Sequence, residues 1–177
     1  MSETAEQYIA RLTGYVGSEK PLDILAATPV RLADAVRGLS DAAADFKPSP
    51  DKWSIRQQLA HLADAEMVVC TRLHWSAAQP GKAIVAYDQD KWAAAAKYDA
   101  TPIELSLATF TAARQWTVSL LRKLTPEQWE GYVTHEERGR ETVAQTTRLL
   151  AGHDRNHLRQ IEALLEASGS KAQMAGR

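Results

Sequence analysis

Apolar side chains in this chain recur every three or four residues almost from end to end, and period-two alternation is absent over any useful length. That spacing restricts the fold to packed amphipathic helices. A first stretch, about Ala5 to Val16, places Tyr8, Ile9, Leu12 and Val16 on one stripe, and Gly17 and Pro21 interrupt it. A second runs from about Leu22 to Leu39, where Pro29 either kinks the helix or opens it behind Thr28. The prolines of Phe46-Lys47-Pro48-Ser49-Pro50-Asp51 make that segment a connector. Ser54-Ile55-Arg56-Gln57 reads as a capping box, in which the serine and glutamine side chains satisfy each other's orphan N–H groups, and its helix reaches about Ser76 before Pro80-Gly81. Thr101-Pro102-Ile103-Glu104 reads as a second box, opening a helix to about Leu124. Thr125 to Gln128 starts a short turn, and Thr142, with Gln145 three residues on, caps a last helix that ends near Ala167. Residues 81–100 are expected to be a long connection with a short helix around Lys91 to Lys97, Glu130 to Gly139 an irregular loop, and Gly169 to Arg177 a frayed tail. Four long helices with crossover-length connections predict an all-α, four-helix bundle.

A chain of 177 residues fits one domain, expected over 1–177, with enough core to fold without disulfides or metal. Charge is balanced, 21 Lys+Arg against 22 Asp+Glu, with no clustered basic patch, which argues against nucleic acid as a partner. No apolar run approaches the ~20 residues of a membrane span, and the acidic N-terminal residues lack the layout of a signal peptide. A single cysteine, Cys70, fits a reducing compartment, so a cytoplasmic location is expected.

Histidines carry the candidate chemistry. His153 and His157, four apart, project from one helix face, and two imidazoles at that spacing can hold one divalent ion. The pair shares a flank with Leu150, Gln160, Ile161 and Leu164, beside the core-facing stripe, where an unpaired polar group is costly. The alternative to a metal is hydrogen bonding to core groups such as Glu66 or Thr146. His61 lies at the margin of the Ile55, Leu59, Leu62, Val69, Leu73 stripe, facing a possible interhelical cleft. His74 and Cys70 point elsewhere on that helix, and His135 is expected in an exposed loop. Geometry therefore selects His61, His153 and His157 as a three-ligand set with a fourth position open for water or substrate. Asp154 stands where a zincin would have glutamate, so no metalloprotease base is implied.

The order of these residues resembles a known family. Lys52-Trp53-Ser54-Ile55-Arg56 through His61 to Asp64-Ala65-Glu66 is similar to the W-S/T-x-R-x-x-x-x-H-x-x-D signature of the DinB/YfiT family, and Gly152-His153 through His157 to Gln160-Ile161 is similar to its H-x-x-x-H-x-x-Q-I segment. Tyr87 to Trp92 and Thr101 to Leu107 match as well, so the resemblance covers roughly residues 20–167. It implies a four-helix bundle in which His61, His153 and His157 bind zinc or nickel, a metal-dependent hydrolase or a low-molecular-weight-thiol S-transferase, a small-molecule substrate, possible use of a thiol cofactor, and a homodimer. Asn156 stands where some members carry a further histidine. The competing reading is a non-catalytic metal-binding or stress-response module.

Other residues are weighed beside these. Asp64 either orients an imidazole or is an exposed helix charge, and Gln160 is either a donor behind His153 or a packed amide. Arg114 sits on an apolar seam, where it anchors an anion or snorkels to the helix margin. Arg72 shares the His61 face three turns on. Trp53, Trp75, Trp92, Trp116 and Trp129 are expected mostly in the core or under crossovers, and Cys70 as a small buried hydrophobe. No general acid or base is identified.

Overall fold

The computed structural model describes residues 3–170. Five longer helices carry the fold: α1 (Ala5–Val16), α2 (Pro21–Val36), α4 (Ile55–Ala78), α6 (Ile103–Leu121) and α8 (Val143–Ala167). Short helices α3 (Asp41–Ala44), α5 (Gln89–Ala95) and α7 (Pro126–Trp129) lie in the connections. α2, α4, α6 and α8 pack as the four-helix bundle, and α1 lies along α8. α1 comes close enough that a Cβ added at Gly152 would sit 2.1 Å from the Leu12 carbonyl oxygen. Only glycine permits that approach.

The caps at Ser54–Gln57 and Thr142–Gln145 form as the sequence predicts, both as capping boxes, and further boxes close at Thr125–Gln128, where a short turn is expected, and at Thr4–Gln7. The one expected at Thr101 does not. Pro102 is the N-cap there, and the Thr101 hydroxyl donates back to the Lys97 carbonyl. Pro21 rather than Pro29 opens α2; Pro29 is buried inside that helix, and α2 stops at Val36, short of the expected Leu39. Residues 171–177, most of the expected tail, lie outside the described residues.

The connections contain a small sheet that the sequence reading takes as loop. β1 (Lys82–Ile84) runs parallel to β2 (Tyr132–His135), with Ile84 opposite His135, and β2 pairs antiparallel with β3 (Gly139–Thr142). β3 leads straight into the Thr142 cap of α8. Gly139, at φ +72°, supplies the left-handed residue of the hairpin turn.

The core is divided into two apolar clusters. One gathers Leu32, Ile55, Leu59, Leu62, Phe110, Leu158 and Ile161, and the other Val16, Leu25, Leu73, Val118, Leu121, Val143 and Leu150. In α4, α6 and α8 alike, the residue between the two clusters is charged: Glu66, Arg114 and Asp154, each at most 1 % exposed. Arg114 is therefore not a snorkelling side chain. Its guanidinium bonds both Asp154 oxygens, one at 2.9 Å, and Glu66 Oε2 at 2.7 Å, and it lies 4.7 Å from the Phe110 ring centre. Its Nη1 also donates to the Leu25 carbonyl at 3.1 Å. Pro29, four residues beyond Leu25, has no N–H to give that carbonyl, so the arginine replaces the missing helical bond.

Candidate metal centre

α4 and α8 bring His61, His153 and His157 together. One ligand atom from each lies within 4.8 Å of the others, and this is a three-histidine cluster formed from residues 92 and 96 positions apart in sequence. His61 and His157 are buried and His153 is half-buried. The His61 and His153 Nε2 atoms are 3.1 Å apart. Two nitrogens bound to one ion at about 2.0–2.1 Å, at angles between octahedral and tetrahedral, stand ~2.9–3.4 Å apart, so the observed separation suits a shared ion.

The chemistry of the donors agrees. Burial pushes His61 down to about 3, with the neighbouring His153 adding to the effect, and pushes His153 down to about 4, assisted by Arg114 and Arg11. Burial holds His157 well below its ordinary value, with the other two histidines contributing. All three imidazoles are neutral at pH 7 and offer lone pairs. His157 Nδ1 donates to the Gln58 side-chain oxygen at 3.1 Å, which leaves Nε2 as the available donor atom. His61 Nδ1 is buried without a hydrogen-bond partner.

Gln58, one turn before His61, is thus the amide behind the cluster. Gln160 is exposed instead, on the rim of the adjoining cavity. The signal for Gln58 was available in its i,i−3 position relative to His61. Asp64 accepts from the Tyr98 hydroxyl and does not join the histidines. Tyr98 stacks edge-on to Trp53, whose ring lies 5.0 Å from His61, so Trp53 walls the site rather than filling the core. Trp116 is 66 % exposed, against the expected burial. Arg56, from the Trp-Ser-x-Arg segment, bonds Asp41 at 2.7 Å and Asp45 at 2.6 Å and fixes α3 to the start of α4.

His135 corrects the expectation of an exposed loop residue. It lies on β2, is 1 % exposed, and its Nδ1 accepts from the Glu137 N–H at 3.2 Å. It stands outside the three-histidine cluster but lines the same cavity as His61 and His153. His74 donates to the Cys70 carbonyl of its own helix. Burial raises the half-buried Cys70 thiol, which is therefore no preformed thiolate.

Two cavities meet at the cluster. One of about 780 Å³ includes Arg11, Trp53, Gln58, His153, His157 and Gln160 in its wall, and the other, of about 560 Å³, includes His61, Arg72, Tyr87, His135, Arg138 and His153. Both are in the size range of small-molecule sites. Among the described residues no helix is long and apolar enough to cross a membrane.

Comparison with known proteins places the chain. Two proteins of Oceanobacillus iheyensis, each named "Putative metal-dependent hydrolase", are 32 % identical over 136 and 141 residues, covering 77 % and 79 % of this chain and 78 % and 81 % of their own. YfiT from Bacillus subtilis, described as "a probable metal-dependent hydrolase with an unusual four-helix bundle topology", superposes with a TM-score of 0.80 at 25 % identity, over 96 % of this chain and 91 % of that one. The family model described as the DinB superfamily matches residues 24–161, a span that holds every residue of the histidine cluster. The chain belongs to the DinB superfamily.

Proposed function

We propose that this protein is a divalent-metal-dependent hydrolase of small molecules, with His61, His153 and His157 as the metal ligands and zinc or nickel as the ion. The observation that carries the reading is the convergence of three neutral imidazoles from α4 and α8 at the junction of two cavities. The names of the relatives from Oceanobacillus iheyensis support it. Nitrogen donors favour zinc or nickel over magnesium or calcium, which prefer oxygen. A bound ion of this kind lowers the pKa of water toward about 7 or polarises a carbonyl. The chain's own part is to keep the three lone pairs unprotonated, to fix the His157 ring through Gln58, and to shield the His61 side with Trp53. A homodimer belongs to the same proposal.

Elemental analysis of the wild type and of single alanine variants at all five histidines tests the ligand set. His61→Ala, His153→Ala and His157→Ala lose most of the ion on dialysis, whereas His74→Ala and His135→Ala keep it. A wild type that takes up neither zinc nor nickel on reconstitution overturns the reading. A panel of ester and amide substrates, assayed with and without added thiols, tests the reaction: chelator-sensitive turnover without thiol supports hydrolysis, thiol-dependent turnover shifts the assignment to S-transfer, and saturable binding without turnover leaves a binding module.

A further inference from the structure

Among the described residues, Arg72 is a buried charge without a paired carboxylate. It lies on α4 and is 8 % exposed, yet among the described residues no carboxylate is within ion-pairing distance of it. Its one direct hydrogen bond is from Nη2 to the Val85 carbonyl at 2.8 Å. A buried guanidinium carries five N–H donors and a charge that cannot be shed, so burial without an anion is expensive. The other arginines near it are accounted for. Arg138 is held bidentately by Glu141, and Arg11 by Glu3 at 2.8 and 2.9 Å. Arg114 has its two buried carboxylates. Arg72 has no such paired carboxylate, with Glu141 and Glu136 acting on it only beyond ion-pairing distance, and it lines the 560 Å³ cavity that His61 and His153 also line.

We infer that Arg72 is the anchor for a carboxylate of the substrate, so that the molecule acted on is a small organic acid whose anionic end lies away from the histidines. This rests on the proposed function for the other end of the molecule. The charge count favours a monoanion. The charged residues of the cavity wall are Glu3, Arg72, Glu137 and Arg138; Glu3 and Arg138 are paired with Arg11 and Glu141 beyond the wall, Glu137 is exposed at the rim, and Arg72 is the buried charge of the wall without a paired carboxylate. A carboxylate balances it, and its two oxygens match the guanidinium fork. A phosphate dianion would exceed it. The bond to Val85 fixes one edge of the guanidinium in advance. Arg72 follows His61 by eleven residues, which is three turns and ~16 Å of helix rise on nearly the same face, and helical side chains lean toward the N-terminus. The anchor therefore leans along the cavity toward the histidines. On its other side it borders a hollow lined by Met67, Val68, Trp75, Ile84 and Trp92, so an alkyl or aryl carboxylate suits the surroundings.

The test is calorimetry on chelator-treated, metal-free protein, so that no ion can hold the acid, with hexanoate, the neutral hexanamide and inorganic phosphate as probes. Wild type is expected to bind hexanoate at least about tenfold more tightly than hexanamide, and Arg72→Gln to abolish the preference. Arg72→Lys keeps the charge but not the fork, and is expected to lose several-fold in affinity; it carries the test if the glutamine variant does not fold. Equal binding of hexanoate and hexanamide, an undiminished affinity in either variant, no hexanoate binding, or tighter binding of phosphate overturns the inference. Zinc content of Arg72→Gln is expected to equal that of wild type. A wild type that takes up no metal overturns the hydrolase reading alone, because the acid is titrated without metal.

Discussion

Replacing Arg114 by methionine removes the guanidinium that Glu66 and Asp154 share and leaves the hydrocarbon volume largely filled. Both carboxylate side chains are fully shielded from solvent, at 0 % exposure, and their oxygens bond the arginine at distances of 2.7 and 2.9 Å. Glu66 Oε1 already lacks any partner. The methionine variant would strand two acids between the two apolar clusters, and would leave the Leu25 carbonyl, which Pro29 cannot serve, without its donor. Breaking a buried pair by removing one partner costs roughly 3–5 kcal/mol, and the lost carbonyl bond adds about 1 kcal/mol. That is a large part of the ~5–15 kcal/mol that holds a domain folded. Urea unfolding of metal-free protein, followed by far-ultraviolet circular dichroism and tryptophan fluorescence, reads the change. With a slope of about 2 kcal/mol per molar, the midpoint falls by ~2–3 M. The triple variant Arg114→Met, Glu66→Gln, Asp154→Asn removes all three charges and is expected to recover at least half of the loss. A midpoint shift worth less than ~1 kcal/mol in the single variant, or a triple variant no more stable than the single, would refute the assignment of the cost to unpaired charge.

Three other perturbations have defined outcomes. Gln58→Leu frees the His157 Nδ1 proton from its acceptor, and metal affinity measured by competition with a chromophoric chelator is expected to fall about 10–100-fold, with an unchanged value ruling out the orienting role. Gly152→Ala drives a methyl into the Leu12 carbonyl and is expected to cost ~1–3 kcal/mol, with amide exchange accelerated in α1 before the bundle helices; equal protection in α1 would contradict the close approach. Metal-free protein is expected to lose stability as pH falls from about 6.5 toward 5. The folded imidazoles of His61 and His153 stay neutral until about 3 and about 4, while the unfolded chain takes up protons near 6.5, at about 1.4 kcal/mol per pH unit for each histidine. The stabilising effect of those depressed values is complete above 6.5 and is lost as pH falls; a flat profile between 7 and 5, or one that His61→Ala does not flatten, contradicts it.

The helices were legible because caps are local chemistry. Ser54 with Gln57 and Thr142 with Gln145 meet within four residues, and nothing distant is needed to close them. Thr101 shows the limit: its hydroxyl had the Lys97 carbonyl as a competing partner, and Pro102 took the cap position. The three histidines were legible because helical spacing fixes the face of each, and the family resemblance named the same residues. The sheet was not. Strands of three and four residues are too short for a period to show, and the pairing of Lys82 with Val133 joins segments 51 positions apart. With that sheet went the placement of His135, although Val133 and His135 alternate as buried residues with exposed Thr134 between them. Arg114 was visible as a charge on an apolar seam, but its partners depend on how three helices align, which no single helix encodes.

The three histidines and much of the wall around them are thus held by different elements of the molecule. The three histidines project from α4 and α8, which are clamped to α6 by the Glu66–Arg114–Asp154 layer, in which Glu66 stands five residues after His61 and Asp154 directly follows His153. Much of the wall comes from α1, which packs along α8, from the segment before α4 that carries Trp53, from the β2–β3 turn and from the segment from Ala86 to Gln89. Insertions or substitutions in these pieces can reshape the cavities without moving the imidazoles. Arg72 belongs to the clamped part, since it shares α4 with His61. Its separation from His61 is set by helix rise and not by a loop, so for an acid bound as proposed the wall segments can change the acceptable width while the reach from its carboxylate to its reacting group stays fixed.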